Sequence, residues 1–180
     1  MEDTAGKDSL AKLDREQYLA MLPDADRSNL QRIIELFGQV TQELGRSASL
    51  IAVGGTLTKP LPRKDIDLLV IFDKSDSDPK KQDYPDYHQF AVADFQILNG
   101  LISGIVAADP SFTIKEIIEP AIDEEFQNPS ILKHDGSISL KSQSGAELEF
   151  IRIVDRGSAQ EVFTAQSRPN QPLRPYVVLT

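Results

Sequence analysis

Cysteine is absent from the 180 residues of this chain. Its absence excludes disulfide bridges and thiolate metal sites, and it fits a reducing compartment, so we expect a cytoplasmic protein. No apolar run approaches the roughly 20 residues that a membrane-spanning helix needs. The first residues, 1–8, are too acidic and polar for a secretory signal. The sequence therefore predicts a protein that has no membrane partner.

Basic residues are few relative to acidic ones: 19 Lys and Arg stand against 28 Asp and Glu, which gives a net charge of −9. The densest basic groups are only pairs, Arg63-Lys64 and Lys80-Lys81. A protein that binds long nucleic acid usually needs clustered cations to neutralise the phosphates. Long DNA or RNA is therefore disfavoured as a partner. A single nucleoside triphosphate, held through metal ions and one or two cations, is compatible with this charge.

The spacing of apolar residues predicts a chain of mixed helices and strands. Helical spacing covers residues 9–22, 30–44 and 89–108. The second helix is expected to have its cap at Asp26 or Ser28 and to end at Gly45. Strand patterns cover residues 49–53, 65–72, 112–118, 137–142, 146–154 and 176–179. This order predicts an α+β fold, with a small mixed β-sheet covered by helices.

Two acids, Asp65 and Asp67, begin the most apolar of these strands, residues 65–72. Because side chains alternate across a strand, both carboxylates are expected on one face, with Ile66 and Leu68 facing the core. Two like charges about 7 Å apart repel each other, and partial burial makes their ionisation costlier. A divalent cation offsets both effects, and oxygen ligands favour Mg²⁺ or Mn²⁺. The alternative is a strand that simply begins with two solvated acids.

A glycine pair lies shortly before these acids. Gly54-Gly55 follows the strand of residues 49–53, and nine residues separate Gly55 from Asp65. Glycines let the backbone turn sharply and approach a phosphate closely. Together, Val53-Gly54-Gly55, the loop and Asp65-Ile66-Asp67-Leu68 resemble the signature of the DNA polymerase β-like nucleotidyltransferase superfamily.

That superfamily has a third acid on a later strand, for which this chain offers Glu147 and Glu149. Glu149 is favoured because Leu148-Glu149-Phe150-Ile151 fits the family's pattern of an acid between apolar residues, and Glu147 is the alternative. Most members have Asp at this position, whereas this chain has Glu, which is longer by one methylene group. This difference is expected to affect catalysis more than metal binding. The competing interpretation is an exposed edge strand whose glutamates are solvated.

The resemblance implies a metal site. Asp65, Asp67 and Glu149 would hold two Mg²⁺ (or Mn²⁺) ions, which bind the triphosphate and activate the attacking hydroxyl. The same three residues are the catalytic residues that the resemblance implies.

The resemblance also implies a phosphate-binding loop. The amides of Gly54-Gly55 and the hydroxyl of Thr56 would hold the outer phosphates. Lys59, Arg63 and Lys64 lie near enough in sequence to neutralise phosphate charge. Alternatively, Arg63 and Lys64 only offset the acidic charge of Asp65 and Asp67 at the surface.

Three segments are predicted on this basis. Residues 1–25 form a partly helical N-terminal extension, residues 26–156 a nucleotidyltransferase-like domain, and residues 157–180 a C-terminal extension that is weakly ordered or packed on the sheet. Many relatives carry a helical C-terminal domain that completes the site. The residues after Arg156 show only a weak pattern of apolar residues here. We therefore expect loops of this chain or a partner subunit to complete the site instead.

The predicted function is the metal-dependent transfer of a nucleoside monophosphate from a nucleoside triphosphate, such as ATP, to an unidentified acceptor hydroxyl. A small-molecule or protein acceptor is favoured over long nucleic acid. The alternative function is a non-catalytic module on the same fold, which binds nucleotide or another protein.

Overall fold

The computed structural model describes residues 14–53, 65–72, 87–122, 132–134, 136–145, 147–153 and 176–180. Three helices lie in this part of the chain: α1 (Arg15–Met21), α2 (Asp24–Glu43) and α3 (Tyr87–Ala108). The strands are β1 (Ala48–Val53), β2 (Asp65–Phe72), β3 (Phe112–Ile118), β4 (Ala121–Ile122), β5 (Leu132–His134), β6 (Ser137–Ser142), β7 (Glu147–Ile153) and β8 (Val177–Val178).

Six of the described strands form one mixed sheet in the order β3-β6-β7-β2-β1-β8. Strands β2 and β7 pair in parallel, whereas the other neighbours in this sheet are antiparallel. The predicted α+β class with a small mixed sheet is confirmed. The predicted last strand is also confirmed, because Val177–Val178 pairs with β1. The boundaries of the predicted domains stay a prediction.

The hydrophobic core lies between one face of this sheet and the helices. Strand β2 contributes Ile66, Leu68 and Val70, and β7 contributes Leu148 and Phe150. The helices cover these side chains with the following residues: Tyr18, Leu19, Leu30, Ile33, Ile34, Leu36, Phe37, Val40, Phe95, Leu98, Leu101, Ile102 and Ile105. None of the described helices is both long and apolar enough to cross a membrane.

The start of α2 differs from the prediction. The helix begins at Asp24, with Pro23 as its N-cap residue, rather than with a cap at Asp26 or Ser28. Proline suits the start of a helix because its φ is fixed and it has no N–H that would need an acceptor. Arg27 then donates hydrogen bonds from Nε to the carbonyl of Leu19 (2.8 Å) and from Nη2 to the carbonyl of Leu22 (2.9 Å). One side chain therefore satisfies carbonyls at the end of α1 and joins the two helices.

The end of α2 follows the prediction. Gly45 has a φ of 61°, a left-handed conformation that side chains disfavour. Its N–H donates to the carbonyl of Gln42 (3.0 Å), and the N–H of Arg46 donates to the carbonyl of Thr41 (2.9 Å). These two bonds form a Schellman motif, which satisfies the last carbonyls of the helix and turns the chain toward β1.

The predicted strands at residues 137–142 and 146–154 are β6 and β7, which pair antiparallel as a hairpin. Gly145 supplies a φ of 90° at the turn, and its N–H donates to the carbonyl of Ser142 (2.9 Å). The Asn29 side chain of α2 donates to the hydroxyls of Ser142 (3.2 Å) and Ser144 (2.8 Å). The turn is thereby tied to the helical layer, which fixes β7 relative to the core.

Helices α2 and α3 approach each other closely at Gly104. A Cβ placed on Gly104 would lie 2.7 Å from Cγ1 of Val40, a β-branched core side chain on α2. Gly100, one turn earlier on α3, has no atom within 4 Å of the equivalent position. The glycine at 104 therefore sets the distance between the two helices, whereas the one at 100 does not.

We predict that Gly104→Ala destabilises the protein and that Gly100→Ala stabilises it. Alanine improves helix propensity by about 1 kcal/mol at either position, but the clash with Val40 costs about 1–3 kcal/mol at position 104. Urea unfolding of the two variants measures the difference. Equal effects of the two substitutions would show that the helices do not pack on Gly104.

A second tie joins α2 to the turn between α3 and β3. Arg32 Nε donates to Oδ2 of Asp109 (2.8 Å), and the hydroxyl (2.7 Å) and backbone N–H (3.1 Å) of Ser111 donate to Oδ1. The bond from Arg32, followed by those from Ser111, lowers the pKa of Asp109 from 3.8 to about 2. The pKa of Arg32 is raised, chiefly by its hydrogen bonds to Asp109 and then Glu35. The folded state thus favours the charged form of Asp109.

This lowered pKa predicts a specific acid sensitivity. A carboxyl whose pKa is lower in the folded state adds stability above its ordinary value of 3.8, and that stability is lost as the pH falls toward about 2. Asp109→Asn should therefore weaken the pH dependence of unfolding over this interval, and Ser111→Ala should weaken it less. Urea midpoints measured as a function of pH test this. A wild-type slope in Asp109→Asn would contradict the assignment.

Candidate metal and nucleotide site

The central strands β2 and β7 place the predicted acids opposite one another. In their parallel register, Asp65 pairs with Glu147 and Asp67 pairs with Glu149. Adjacent strands lie about 4.8 Å apart, so each pair of backbone positions is close. Strand β1 lies on the other side of β2, so that β7, β2 and β1 are neighbours in one sheet.

All four acidic positions fall on one face of the sheet. Ile66 and Leu68 are buried in the core beneath the helices, and so are Leu148 and Phe150. Because strand positions alternate between faces, Asp65 and Asp67 on β2, and Glu147 and Glu149 on β7, occupy the opposite face. The Asp67 side chain is half-buried there. The four acidic positions therefore share the face of the sheet opposite α2 and α3.

The neighbouring strand β6 divides these acids into two rows. Lys141 pairs with Glu147, and Ser139 pairs with Glu149. The first row therefore runs Lys141, Glu147, Asp65, which sets a cation beside the two acids. The second row runs Ser139, Glu149, Asp67, in which the described strands supply no cation from β6. Among the described strands, Lys141 therefore distinguishes the first row from the second.

Lys115 on β3 places a second cation near the first row. The register of β3 against β6 shifts between Ile114 and Glu116, so Lys115 is an extra residue at a β-bulge. Its Nζ lies 2.7 Å from Oε2 of Glu147, with both side chains partly exposed. Lys115 was not among the residues predicted for the site. Its place in a predicted strand was visible, but neither the bulge nor the strand that it faces could be inferred from local pattern.

The strand that precedes the glycine pair in the sequence ends beside the second row. Val53, the last residue of β1, pairs with Asp67, and Gly54 follows it directly in the sequence. The predicted phosphate-binding residues, namely Gly54, Gly55, Thr56, Lys59, Arg63 and Lys64, lie outside the described residues. Their roles stay predictions.

The residues on this face fit a divalent cation in the chemistry of their donors. Mg²⁺ and Mn²⁺ take carboxylate oxygens, and like charges at paired positions are stabilised by a cation between them. Among the side chains that the structure describes, no group of three His, Asp or Glu is gathered as a metal site. The side chains of Asp65 and Glu149 lie outside that set. The ligand assignment to Asp65, Asp67 and Glu149, with Glu147 as the alternative, therefore stays a prediction.

Comparisons with known proteins give matches to solved structures. No family model matches the chain, and no curated protein matches it. It is similar to terminal uridylyl transferase 4 from Trypanosoma brucei with bound UTP and UMP, at 15% identity over 75% of this chain and 37% of that one, with a TM-score of 0.44. A second match is to the CCA-adding enzyme in complex with ATP, at 14% identity over 78% of this chain and 24% of that one, with a TM-score of 0.39.

Both matched structures hold a bound nucleotide. The chain spans only 37% and 24% of their lengths. At these identities and TM-scores, the likeness carries no argument about the class, substrate or activity of this chain.

We predict that the Asp67→Asn variant will behave as expected for an acid that binds a metal ion, and not as expected for an acid with a structural role. Relief of repulsion between opposed like charges is worth about 0.2–1 kcal/mol, so the variant without metal should melt up to about 4 °C higher. The stabilisation by Mg²⁺ should shrink, because a ligand stabilises the folded state in proportion to its affinity. Thermal melts of both proteins, with and without Mg²⁺, test this. A destabilised variant, with no effect of Mg²⁺ on either protein, would contradict the metal site.

Proposed function

We propose that this chain is a metal-dependent nucleotidyltransferase, which transfers a nucleoside monophosphate from a nucleoside triphosphate to an acceptor hydroxyl. The observation that carries the proposal is the parallel register of β2 and β7, which sets Asp67 opposite Glu149 on the face away from the helices. An acid on each of two adjacent central strands, next to a glycine pair, is the arrangement that the sequence motif implies.

Asp65, Asp67 and Glu149 are the residues that would hold Mg²⁺ or Mn²⁺. When bound, the ions lower the pKa of the attacking hydroxyl and stabilise negative charge on the triphosphate. The three carboxylates belong to hydrogen-bonded central strands rather than to a loop. Their backbone positions are therefore fixed, which would fix the position of the bound ions. The core beneath β2 and β7, with Leu68 and Phe150 fully buried, keeps those strands in place.

The triphosphate is expected to lie across the end of β1. Val53, the last residue of β1, pairs with Asp67. Gly54-Gly55 directly follow it in the sequence, so we expect their backbone amides to bind phosphate near the acids. Thr56 would add a hydroxyl, and the cations after it would offset the charge of the outer phosphates. The acceptor oxygen then attacks the α-phosphorus, the bond from that phosphorus to the bridging oxygen breaks, and pyrophosphate leaves.

The acceptor is proposed to be a small molecule or a protein rather than long nucleic acid. The net charge of −9 supports this choice, because a phosphate backbone would be repelled over most of the surface. Either loops of this chain or a partner subunit would complete the acceptor side.

We predict Mg²⁺-dependent binding of at least one nucleoside triphosphate, followed by release of pyrophosphate. Calorimetry with each of the four nucleoside triphosphates measures binding, and a coupled assay with hydroxyl-bearing acceptors measures pyrophosphate. Asp67→Asn should lower the rate at least about 100-fold, the scale on which loss of transition-state charge stabilisation acts.

Glu119→Gln is the matched control, because Glu119 is an exposed acid beyond the end of β3. This variant should keep the wild-type rate. Metal-dependent binding without pyrophosphate release would favour the non-catalytic module on the same fold. The absence of metal-dependent binding of every triphosphate would overturn the proposal.

A further inference from the structure

The two glutamates of β7 differ in their surroundings, although they share a face. Glu147 pairs in register with Lys141 and forms an ion pair with Lys115 at 2.7 Å. Glu149 pairs in register with Ser139 on one side and with Asp67 on the other. Two cations are thus placed beside Glu147, whereas the register neighbours of Glu149 are a neutral residue and an acid.

The bulge on β3 is the reason that Lys115 reaches Glu147. In the register as observed, Ile114 pairs with Leu140 and Glu116 with Ser139, which leaves Lys115 between these positions. A bulge redirects the side chain of its extra residue. The Lys115 side chain extends past β6 and places its ammonium on a carboxylate of β7. A regular strand would have no extra residue at this point.

We infer that Lys115 is a positioning residue: it holds Glu147 away from the metal and leaves Glu149 as the third carboxylate. The inference rests on the proposed function. An ammonium bound to the Glu147 carboxylate competes with a divalent cation for the same oxygen, since each supplies positive charge to it. Glu149, which pairs in register with Asp67, then remains as the third carboxylate.

The ion pair between Lys115 and Glu147 is partly shielded from solvent. The exposed fraction of the Glu147 side chain is 26%, against 46% for Lys115. A half-covered ion pair is screened less than one in open solvent. We therefore expect removal of the ammonium to change the metal affinity by a measurable amount.

The test measures Mn²⁺ affinity of the full chain by electron paramagnetic resonance of the free ion, and circular dichroism confirms folding. Glu149→Gln should lower the affinity by more than about tenfold, as expected for loss of a ligand. Glu147→Gln should change it by less than about threefold, the scale of a screened charge. A loss as large in Glu147→Gln as in Glu149→Gln would overturn the inference.

The positioning role is tested in the Glu149→Gln background. Lys115→Met should restore at least about threefold of the lost affinity, because Glu147 is no longer held by an ammonium. Lys115→Arg keeps the ion pair and should restore none. Lys141→Met is the matched control, since it removes a positive charge opposite the same glutamate. Equal recovery with Lys141→Met would show a general charge effect and would overturn the role of Lys115.

Asp67→Asn distinguishes this inference from the proposed function. If Asp67→Asn abolishes Mn²⁺ binding while the two glutamate variants behave alike, only the role of Lys115 fails. If Asp67→Asn binds Mn²⁺ as the wild type does, the metal site fails, and with it both proposals.

Discussion

Strands β2 and β7 run parallel at the centre of the sheet, paired from Asp65 with Glu147 to Ile71 with Ile153. The acids singled out by the motif all lie on these two strands. A shift of one residue in this register would move one set of acids to the face beneath the helices. That shift is opposed by the core, because it would also bring Leu148 and Phe150 out from under α2 and α3. Apolar packing on one face therefore fixes the positions of charge on the other.

The helical layer is tied to the sheet by a few polar contacts at its margins. Asn29 bonds the turn after β6, and Arg32 bonds Asp109 where α3 leads into β3. Close packing at Gly104 sets the distance between the two long helices. These contacts hold β6 and β3 in place, and β6 and β3 supply Lys141 and Lys115 beside the acids. The charge pattern of the candidate site thus depends on contacts made on the far side of the sheet.

Local pattern predicted most of the elements. Alternating or continuous apolar runs gave β2, β3, the β6–β7 hairpin and α3, and Gly45 marked the end of α2. The predicted start of α2 was wrong because the N-cap residue is Pro23, whereas the prediction considered only residues whose side chains accept a capping hydrogen bond. Strands β4 and β5 were not predicted, since segments of two and three residues are too short to show a period.

The sequence by itself determined that two carboxylates begin a buried strand after a glycine pair, and that two glutamates follow on a later strand. Side chains two residues apart on a strand share a face, and this rule needs only the local sequence. It could therefore place Asp65 with Asp67, and Glu147 with Glu149, on shared faces. Which glutamate lies opposite which aspartate was decided only by the tertiary structure, because register between strands far apart in sequence is set by packing of the whole core. The bulge that brings Lys115 to Glu147 was likewise decided there, since it depends on how β3 pairs with β6.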